Sequence, residues 1–345
     1  MTGIARSRGI RSTRRVTITD VGEAAGVSAS TVSRVLNGTA KVDPSLAERV
    51  HDAVRALGYQ PNAAAQGLAR GEWGTVGVLV PDLANPYFPD VLKAVSAVVR
   101  AHGRRVMVME SDENPEIERS LVEDLMRSCD GMLLCSPRMP RTDLIELIAR
   151  EHPMVLVNRI VPGAAVPSIT VDHFGGMTLV CGHLAQLGHR RIAYLNGPEA
   201  SWANSERLRA LTAASAFGLD VTVVPCGATA ASGYEAASQV PLADVTAIAT
   251  YNDLVAFGAL ARLHETGVVV PEAMSVVGFD DISLDHVTHS QLTTVSVARD
   301  EVGRRAAEML ELLMTVGHDS EPQEVAMILQ VRDTSGAPRV ERRQG

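Results

Sequence analysis

From Thr75 onward the chain alternates short apolar strands with amphipathic helices, and this rhythm limits the fold more than any other feature. "TVGVLV" leads into a helix expected over about 87–102, followed by "RRVMVME", a helix near 115–128, "GMLLC", a helix near 142–150 and "PMVLVN". A second series begins after Asp172: a helix over 175–187, "RIAYLNG", a helix over 205–217, "DVTVVP", a helix near 232–238, "TAIATYN", a helix over 253–266 and "MSVVGFD". Apolar, β-branched strands between amphipathic helices imply parallel sheets covered on both faces. Two such series of about 100 residues each predict two doubly wound subdomains with a cleft between them. Ligands in this architecture bind beyond the carboxyl ends of strands, so the residues following each strand are the candidates.

The residues before Thr75 have another texture. Val21, Ala24 and Ala25 fall at helical spacing after Thr19 and Asp20, and Gly26 ends that helix. Ser28 is a natural N-cap for a second helix with Val32, Val35 and Leu36 on its apolar face and Asn37-Gly38 as its stop. Asp43 then caps a third helix with Pro44 at its first position, a stripe of Leu46, Val50, Val54 and Leu57, and Gly58 as terminator. Three short helices, the first two joined by a tight turn, predict an all-α helix-turn-helix head. "NAAAQGLARGEWG" is too small-sided to build a core and is expected to be a linker with latent helicity. The expected plan is a basic disordered tail over 1–15, the head over 16–60, a hinge helix or linker over 61–73 and an α/β body over 74–340. Within the body, one subdomain takes about 74–172 plus 296–324 and the other about 173–295 plus 325–340.

Charge divides along the same line. Residues 1–72 hold ten Arg/Lys and six Asp/Glu, a balance of +4, and the total of −8 leaves −12 on the remainder. Five arginines (Arg6, Arg8, Arg11, Arg14, Arg15) and no acid stand in the first fifteen residues. A basic head on an acidic body points to a polyanion as partner of the head alone, although a solvated tail explains residues 1–15 equally well. Thr17, Ser28, Ser30, Thr31, Ser33 and Asn37 offer short donors to phosphate oxygens, and Arg34 is the one long basic side chain of the second helix, suited to a guanine edge.

Other classes find little support. The apolar runs are far shorter than the roughly 20 residues a bilayer span needs. The arginine-rich start lacks the apolar stretch of a secretory signal, and Cys129, Cys135, Cys181 and Cys226 lack metal or redox spacing, as expected of reduced thiols in a cytoplasmic protein. Asp280, Asp281, Asp285, His286 and His289 are crowded but irregularly spaced, so no metal and no cofactor is expected. No phosphate loop, nucleophile elbow or zinc-protease motif is present, which argues against an enzyme.

The stretch from "TITDVGEAAGVSASTVSRVLNG" to "NAAAQGLARG" closely resembles the head of the lac repressor (LacI/GalR) family of bacterial transcription regulators. "VGVLVPDLANPYF", "ITVDHFGGM", "HLAQLGHRRIAYLNGP", "YNDLVAFGAL", "PEAMSVVGFDDI" and "QLTTV" resemble the family's body in order and spacing, so that the likeness spans about 16–338. The resemblance implies a body like periplasmic sugar-binding proteins, a homodimer on a near-palindromic operator, and a sugar or sugar derivative as effector. It makes Ala29, Ser30 and Arg34 the base-facing trio. It also implies a hinge in which Leu68 wedges into the minor groove while Asn62 and Gln66 contact backbone or base edges, at a cost in unstacking of a few kcal/mol. For the effector it nominates Asn85, Tyr87 and Phe88, then Arg159, Arg209 (or, as the second choice, Arg207), Asn252 with Asp253, and Asp280. Asn158 replaces the acid of the family's Asp-Arg pair, and Thr212 and Ala213 replace a Gly and an aromatic. Ala228 and Thr229 stand where many members stack an aromatic on the sugar; Trp202 is the candidate substitute. The implied function is a repressor of carbohydrate-utilisation genes under allosteric control; a corepressor-dependent regulator with a non-sugar effector and a free sugar-binding protein are the alternatives.

Gly67 lies within the hinge, where glycine costs about 1 kcal/mol relative to alanine in a helix. Gly67→Ala is expected to tighten operator binding and blunt the effector response; an unchanged affinity in a DNA titration would contradict the folding-hinge reading.

Overall fold

A computed structural model of the chain describes residues 16–37, 42–59, 73–282, 291–317 and 321–338. The tail, the hinge residues Asn62, Gln66, Gly67 and Leu68, and Asp285, His286 and His289 lie outside the described residues. The chain divides into two compact units, 1–73 and 74–345.

The first unit contains α1 (Ile18–Ala25), α2 (Ala29–Asn37) and α3 (Pro44–Leu57). Thr17 caps α1 in a reciprocal box with Asp20, and Gly26 ends it in the left-handed region at φ 66°, where glycine carries no Cβ penalty. The Ser28 hydroxyl accepts from the Thr31 N–H at 3.2 Å and so starts α2. Asp43 accepts from the Ser45 N–H at 2.9 Å and, with Pro44, starts α3. Val21, Ala25, Val32, Val50 and Ala53 form the buried core, with Val35, Leu36, Leu46 and Val54 packed around it. Ala24 and Leu57, expected on apolar faces, are exposed: Ala24 lies a step of about 100° round α1 from the buried Ala25, and Leu57 is the last residue of α3. Arg49 donates to the carbonyl of Ala25, placing a cation at the C-terminus of α1.

The second unit holds two parallel sheets. The first has six strands in the order β11 (Gln323–Val325), β5 (Ser168–Val171), β4 (Met154–Val157), β3 (Gly131–Cys135), β1 (Thr75–Val80) and β2 (Arg105–Glu110); the second has four in the order β7 (Asp220–Val224), β6 (Arg191–Leu195), β8 (Ala247–Thr250) and β9 (Ser275–Val277). In the first, β1 (Thr75–Val80) leads to α4 (Tyr87–Ala101), β2 (Arg105–Glu110), α5 (Pro115–Ser128), β3 (Gly131–Cys135), α6 (Arg141–Ile148), β4 (Met154–Val157) and β5 (Ser168–Val171). The chain crosses to the second through α7 (His173–Leu187), then runs through β6 (Arg191–Leu195), α8 (Trp202–Ala213), β7 (Asp220–Val224), α9 (Ala230–Ala237), β8 (Ala247–Thr250), α10 (Asp253–Glu265) and β9 (Ser275–Val277). It returns by β10 (Thr294–Ser296) to α11 (Arg299–Val316), whose neighbours are α4 and strands β3 to β5. β11 (Gln323–Val325) adds to β5, and β12 (Ile328–Gln330) pairs antiparallel with β10.

Every residue of β1, β3, β4 and β8 is buried, as two-sided cover requires. The outer strands β2 and β7 are covered less: Met107, Val108 and Val223 are exposed. Two helix starts lie earlier than their apolar spacing suggests. Asp172 Oδ1 accepts from the Gly175 N–H at 2.7 Å, so α7 begins at His173, and Ser201 Oγ accepts from the Asn204 N–H at 3.2 Å, so α8 begins at Trp202. Beyond Ala213 a 3₁₀ turn takes the place of α-helix over Ala214–Phe217.

Helices α9 and α10 cross at glycines. A Cβ on Gly258 would lie 1.9 Å from the Ala230 carbonyl oxygen, and one on Gly233 would lie 2.2 Å from that of Val255. Gly258→Ala therefore forces the helices apart and is expected to destabilise the body by about 1–3 kcal/mol; an unshifted thermal melt would show that the crossing has slack.

Candidate functional site

In the first unit, α2 exposes Ser30 and Arg34, while Ala29, Thr31 and Ser33 are half-buried. The Ser28 hydroxyl lies 2.8 Å from that of Ser30 and 2.9 Å from that of Thr31. The Thr17 hydroxyl donates to Asp20 Oδ2 at 2.7 Å. Thr17, Ser28 and Arg34 are all exposed, and Asn37 is the last residue of α2. A helix with short hydroxyls and one free-standing guanidinium has the chemistry to contact phosphates and a guanine edge.

In the second unit a cleft of about 390 Å³, counting its open mouth, is lined from both sheets. Asn85, Tyr87 and Phe88 follow β1, Glu113 follows β2, Ser136 and Arg138 follow β3, and Asn158 follows β4. His173 opens α7, Ala203 and Arg207 lie on α8, Tyr251 and Asn252 follow β8, and Asp280 follows β9. Four of these, Glu113, Ser136, Asn158 and Asp280, have φ between 47° and 110°, the left-handed region that non-glycine residues occupy only under constraint.

Two arginines dominate the cleft. Arg138 grips Glu113 with two hydrogen bonds of 2.6 and 2.9 Å and reaches the Tyr251 hydroxyl at 3.4 Å. The Tyr251 hydroxyl is also 3.1 Å from Ser201 Oγ, so this chain of bonds spans the cleft from one sheet's loops to the other's. Its loop is fixed by the buried Glu118, whose Oε2 accepts from the N–H groups of Arg138 and Met139, both at 2.7 Å. Burial pushes the Glu118 carboxyl up, and those hydrogen bonds oppose the shift. Arg207 donates to the Tyr251 carbonyl and lies 3.6 Å over the Phe279 ring. Its Nη2 is 3.3 Å from His173 Nδ1 and 3.7 Å from Asp280 Oδ1. Burial raises Asp280 to about 6, against the pull of Arg207 and Arg299. Burial, then the charges of Arg207 and Arg138, hold His173 well below the ordinary imidazole value.

Comparison with known proteins fits this geometry. The sequence pattern described as "Periplasmic binding proteins and sugar binding domain of LacI family" matches residues 73–331, and that of "Bacterial regulatory proteins, lacI family" matches residues 17–62. The chain belongs to the LacI family. The HTH-type transcriptional regulator GalR of Escherichia coli (strain K12) is 35% identical over 300 residues, covering 85% of this chain and 88% of that protein. A lac repressor dimer bound to operator and the anti-inducer ONPF superposes with a TM-score of 0.79 at 28% identity, covering 94% of this chain and 100% of that one. A CelR–cellobiose complex, also a transcriptional regulator, gives 0.69 at 29% identity, covering 93% and 100%. This LacI-family member is thus a DNA-binding transcriptional regulator, of a family that is not enzymatic. Among its described residues no helix is long and apolar enough to cross a membrane.

Of the eight residues nominated from sequence for the effector, the cleft of this LacI-family chain brings together Asn85, Tyr87, Phe88, Asn252 and Asp280. Arg209 is not among them: it is exposed, pairs with Glu206 at 2.9 Å and covers Phe174. Two residues along a helix is a turn of about 200°, so the buried Arg207 faces the cleft and Arg209 faces solvent. Trp202 stands behind the lining, edge-on to His173 at 5.8 Å, and the aromatic that lines the far side is Tyr251. Arg159 is half-buried beyond Asn158 and does not line the cleft. Asn252 spends its amide on structure, accepting from the Val255 N–H and donating to the Ala228 carbonyl, both at 2.9 Å. Glu113, Ser136, Arg138, His173 and Tyr251 escaped nomination, although all five follow strands, His173 two residues after β5, whose strand the sequence pattern does not announce.

The raised Asp280 carboxyl has a measurable consequence. Its folded value lies above the ordinary 3.8, so the folded state favours the protonated form. That contribution is full below about 4 and is lost as pH rises through about 6. Wild-type protein is therefore expected to lose stability relative to Asp280→Asn between those limits and to level off above them; parallel melts across the range would contradict this.

Proposed function

We propose that the chain represses carbohydrate-utilisation genes as a cytoplasmic homodimer on near-palindromic operator DNA, with affinity set by a sugar or sugar derivative in the cleft. The observation that carries this reading is a polar cleft, between two sheets, held by carboxylate, guanidinium and amide groups with aromatic walls. Such a lining suits a molecule dense in hydroxyls. A lac repressor dimer is known on operator, and a relative is known with cellobiose, which supports assigning both partner classes here.

In this reading Ala29, Ser30 and Arg34 face bases, while Thr17, Ser28, Thr31, Ser33 and Asn37 contact the backbone, and Asn62, Gln66 and Leu68 form the hinge. Asn85, Tyr87, Phe88, Arg207 and Asp280 hold the effector, Asn252 shapes its rim, and Arg138 and Tyr251 close over it. Effector and operator are coupled reciprocally through the closure of the cleft. The proposal replaces Arg209 by Arg207 and leaves Arg159 and Trp202 as supports behind the site.

Selecting bound duplexes from a random pool by gel retardation, with and without sugars, tests this. A near-palindrome released by sugar is expected, whereas a sugar that tightens binding makes the chain corepressor-dependent, and no selection at all defeats the proposal. Arg34→Ala should lose about 1–3 kcal/mol of preference at one guanine per half-site. Thr31→Ala should weaken all duplexes alike.

A further inference from the structure

Among the described residues, three buried polar atoms of the cleft lining have no hydrogen-bond partner: Asn158 Oδ1, His173 Nε2 and Arg207 Nε. Folded chains leave few such groups unpaired, and a cluster of them in one cleft marks where a bound molecule completes the bonding. Their senses are fixed by their neighbours. A guanidinium only donates, so His173 Nδ1, 3.3 Å from Arg207 Nη2, is the acceptor and the ring proton sits on Nε2. The ring stays neutral, because burial and the nearby arginines oppose a second proton. Asn158 Nδ2 donates to the Tyr87 hydroxyl at 2.7 Å, which leaves Oδ1 to accept. The cleft therefore offers two donors and one acceptor in addition to the Asp280 carboxylate.

We infer that His173 is a specificity-determining residue of the cleft: its Nε2–H donates to an oxygen of the effector, Arg207 Nε–H is a separate donor, and Asn158 Oδ1 receives an effector hydroxyl. This rests on the sugar reading above and deepens it. A site built around a committed donor rejects an analogue that lacks the matching oxygen, because the donor is then left buried and unpaired. The role differs from packing, for which His173 also has neighbours: its ring lies 5.8 Å from that of Trp202 and 6.2 Å from that of Phe279.

The test is isothermal titration of the full chain with D-ribose, D-glucose, D-galactose and cellobiose, then with the monodeoxy analogues of whichever binds. Wild-type protein is expected to bind one deoxy analogue about tenfold or more weakly than its parent, a difference of about 1.4 kcal/mol. His173→Phe keeps a ring but no donor; it should bind the parent about tenfold more weakly and no longer distinguish parent from that analogue. His173→Gln restores an acceptor and a donor on one side chain and should regain part of the discrimination. If His173→Phe discriminates as wild type does, the inference falls while the sugar reading stands. If His173→Phe fails to fold, His173→Gln decides: retained discrimination supports the donor role, and its loss with parent affinity intact overturns it. If no sugar binds wild-type protein, the sugar reading fails and the inference with it.

Discussion

The buried carboxylate of Asp253 ties together the parts on which the cleft depends. It accepts from the Thr294 hydroxyl on β10 at 2.6 Å and from the Ile282 N–H at 2.9 Å, and its own N–H donates to the Phe279 carbonyl at 2.8 Å. One side chain thus joins the start of α10, the turn carrying Asp280 and the segment returning to the first sheet. Gly278 has no room for a side chain because a Cβ there would lie 2.1 Å from Asp253 Oδ1. Burial pushes this carboxyl well above its usual range, so the hydrogen bonds oppose a substantial cost of desolvation. The sequence pairs Asp253 with Asn252 as a candidate ligand; its position assigns it to the frame instead.

The strained backbone of the cleft is held by contacts from distant elements. Asp280, at φ 110°, is held in place by neighbours rather than by local preference, including Arg299, which donates to the carbonyls of Asp280 and Asp281. Arg299 also reaches Asp90 on α4 at 2.9 Å, so the Asp280 turn of the second sheet is tied to a helix of the first. Such over-determined positions are where folded proteins hold functional groups in fixed orientations at the expense of stability.

How much of this is legible in the sequence depends on what each residue's signal reports. Strands such as "TVGVLV" announce themselves because burial on both faces leaves no polar alternation to confuse. "SITV" does not, although Ser168 and Thr170 are fully within the sheet, because its polar atoms blur the pattern. Arg207 and Arg209 cannot be told apart by motif alone; only the phase of α8 separates them, and that phase follows from the Ser201 cap. A cap likewise hides His173: an apolar pattern that begins at Gly175 places it in a loop, whereas the Asp172 side chain makes it the first residue of α7. Glu118 is invisible as a site residue because its carboxylate is spent on backbone N–H groups and the Ser111 hydroxyl, yet those bonds fix the loop of Arg138.

Many lining residues stand at the first turns of helices: Tyr87 opens α4, His173 opens α7, Ala203 follows the Ser201 cap of α8, and Asn252 caps α10. Some of these side chains are committed to starting their helix, and others merely sit beside one that is. The distinction separates, within one pocket, positions that hold a helix start from positions that only line the cleft. Asn252 cannot change without loosening α10, whereas exchanging His173 or Ala203 leaves the Asp172 and Ser201 caps of α7 and α8 in place. A lineage could thus retune what the pocket accepts through a few adjustable positions set on fixed foundations.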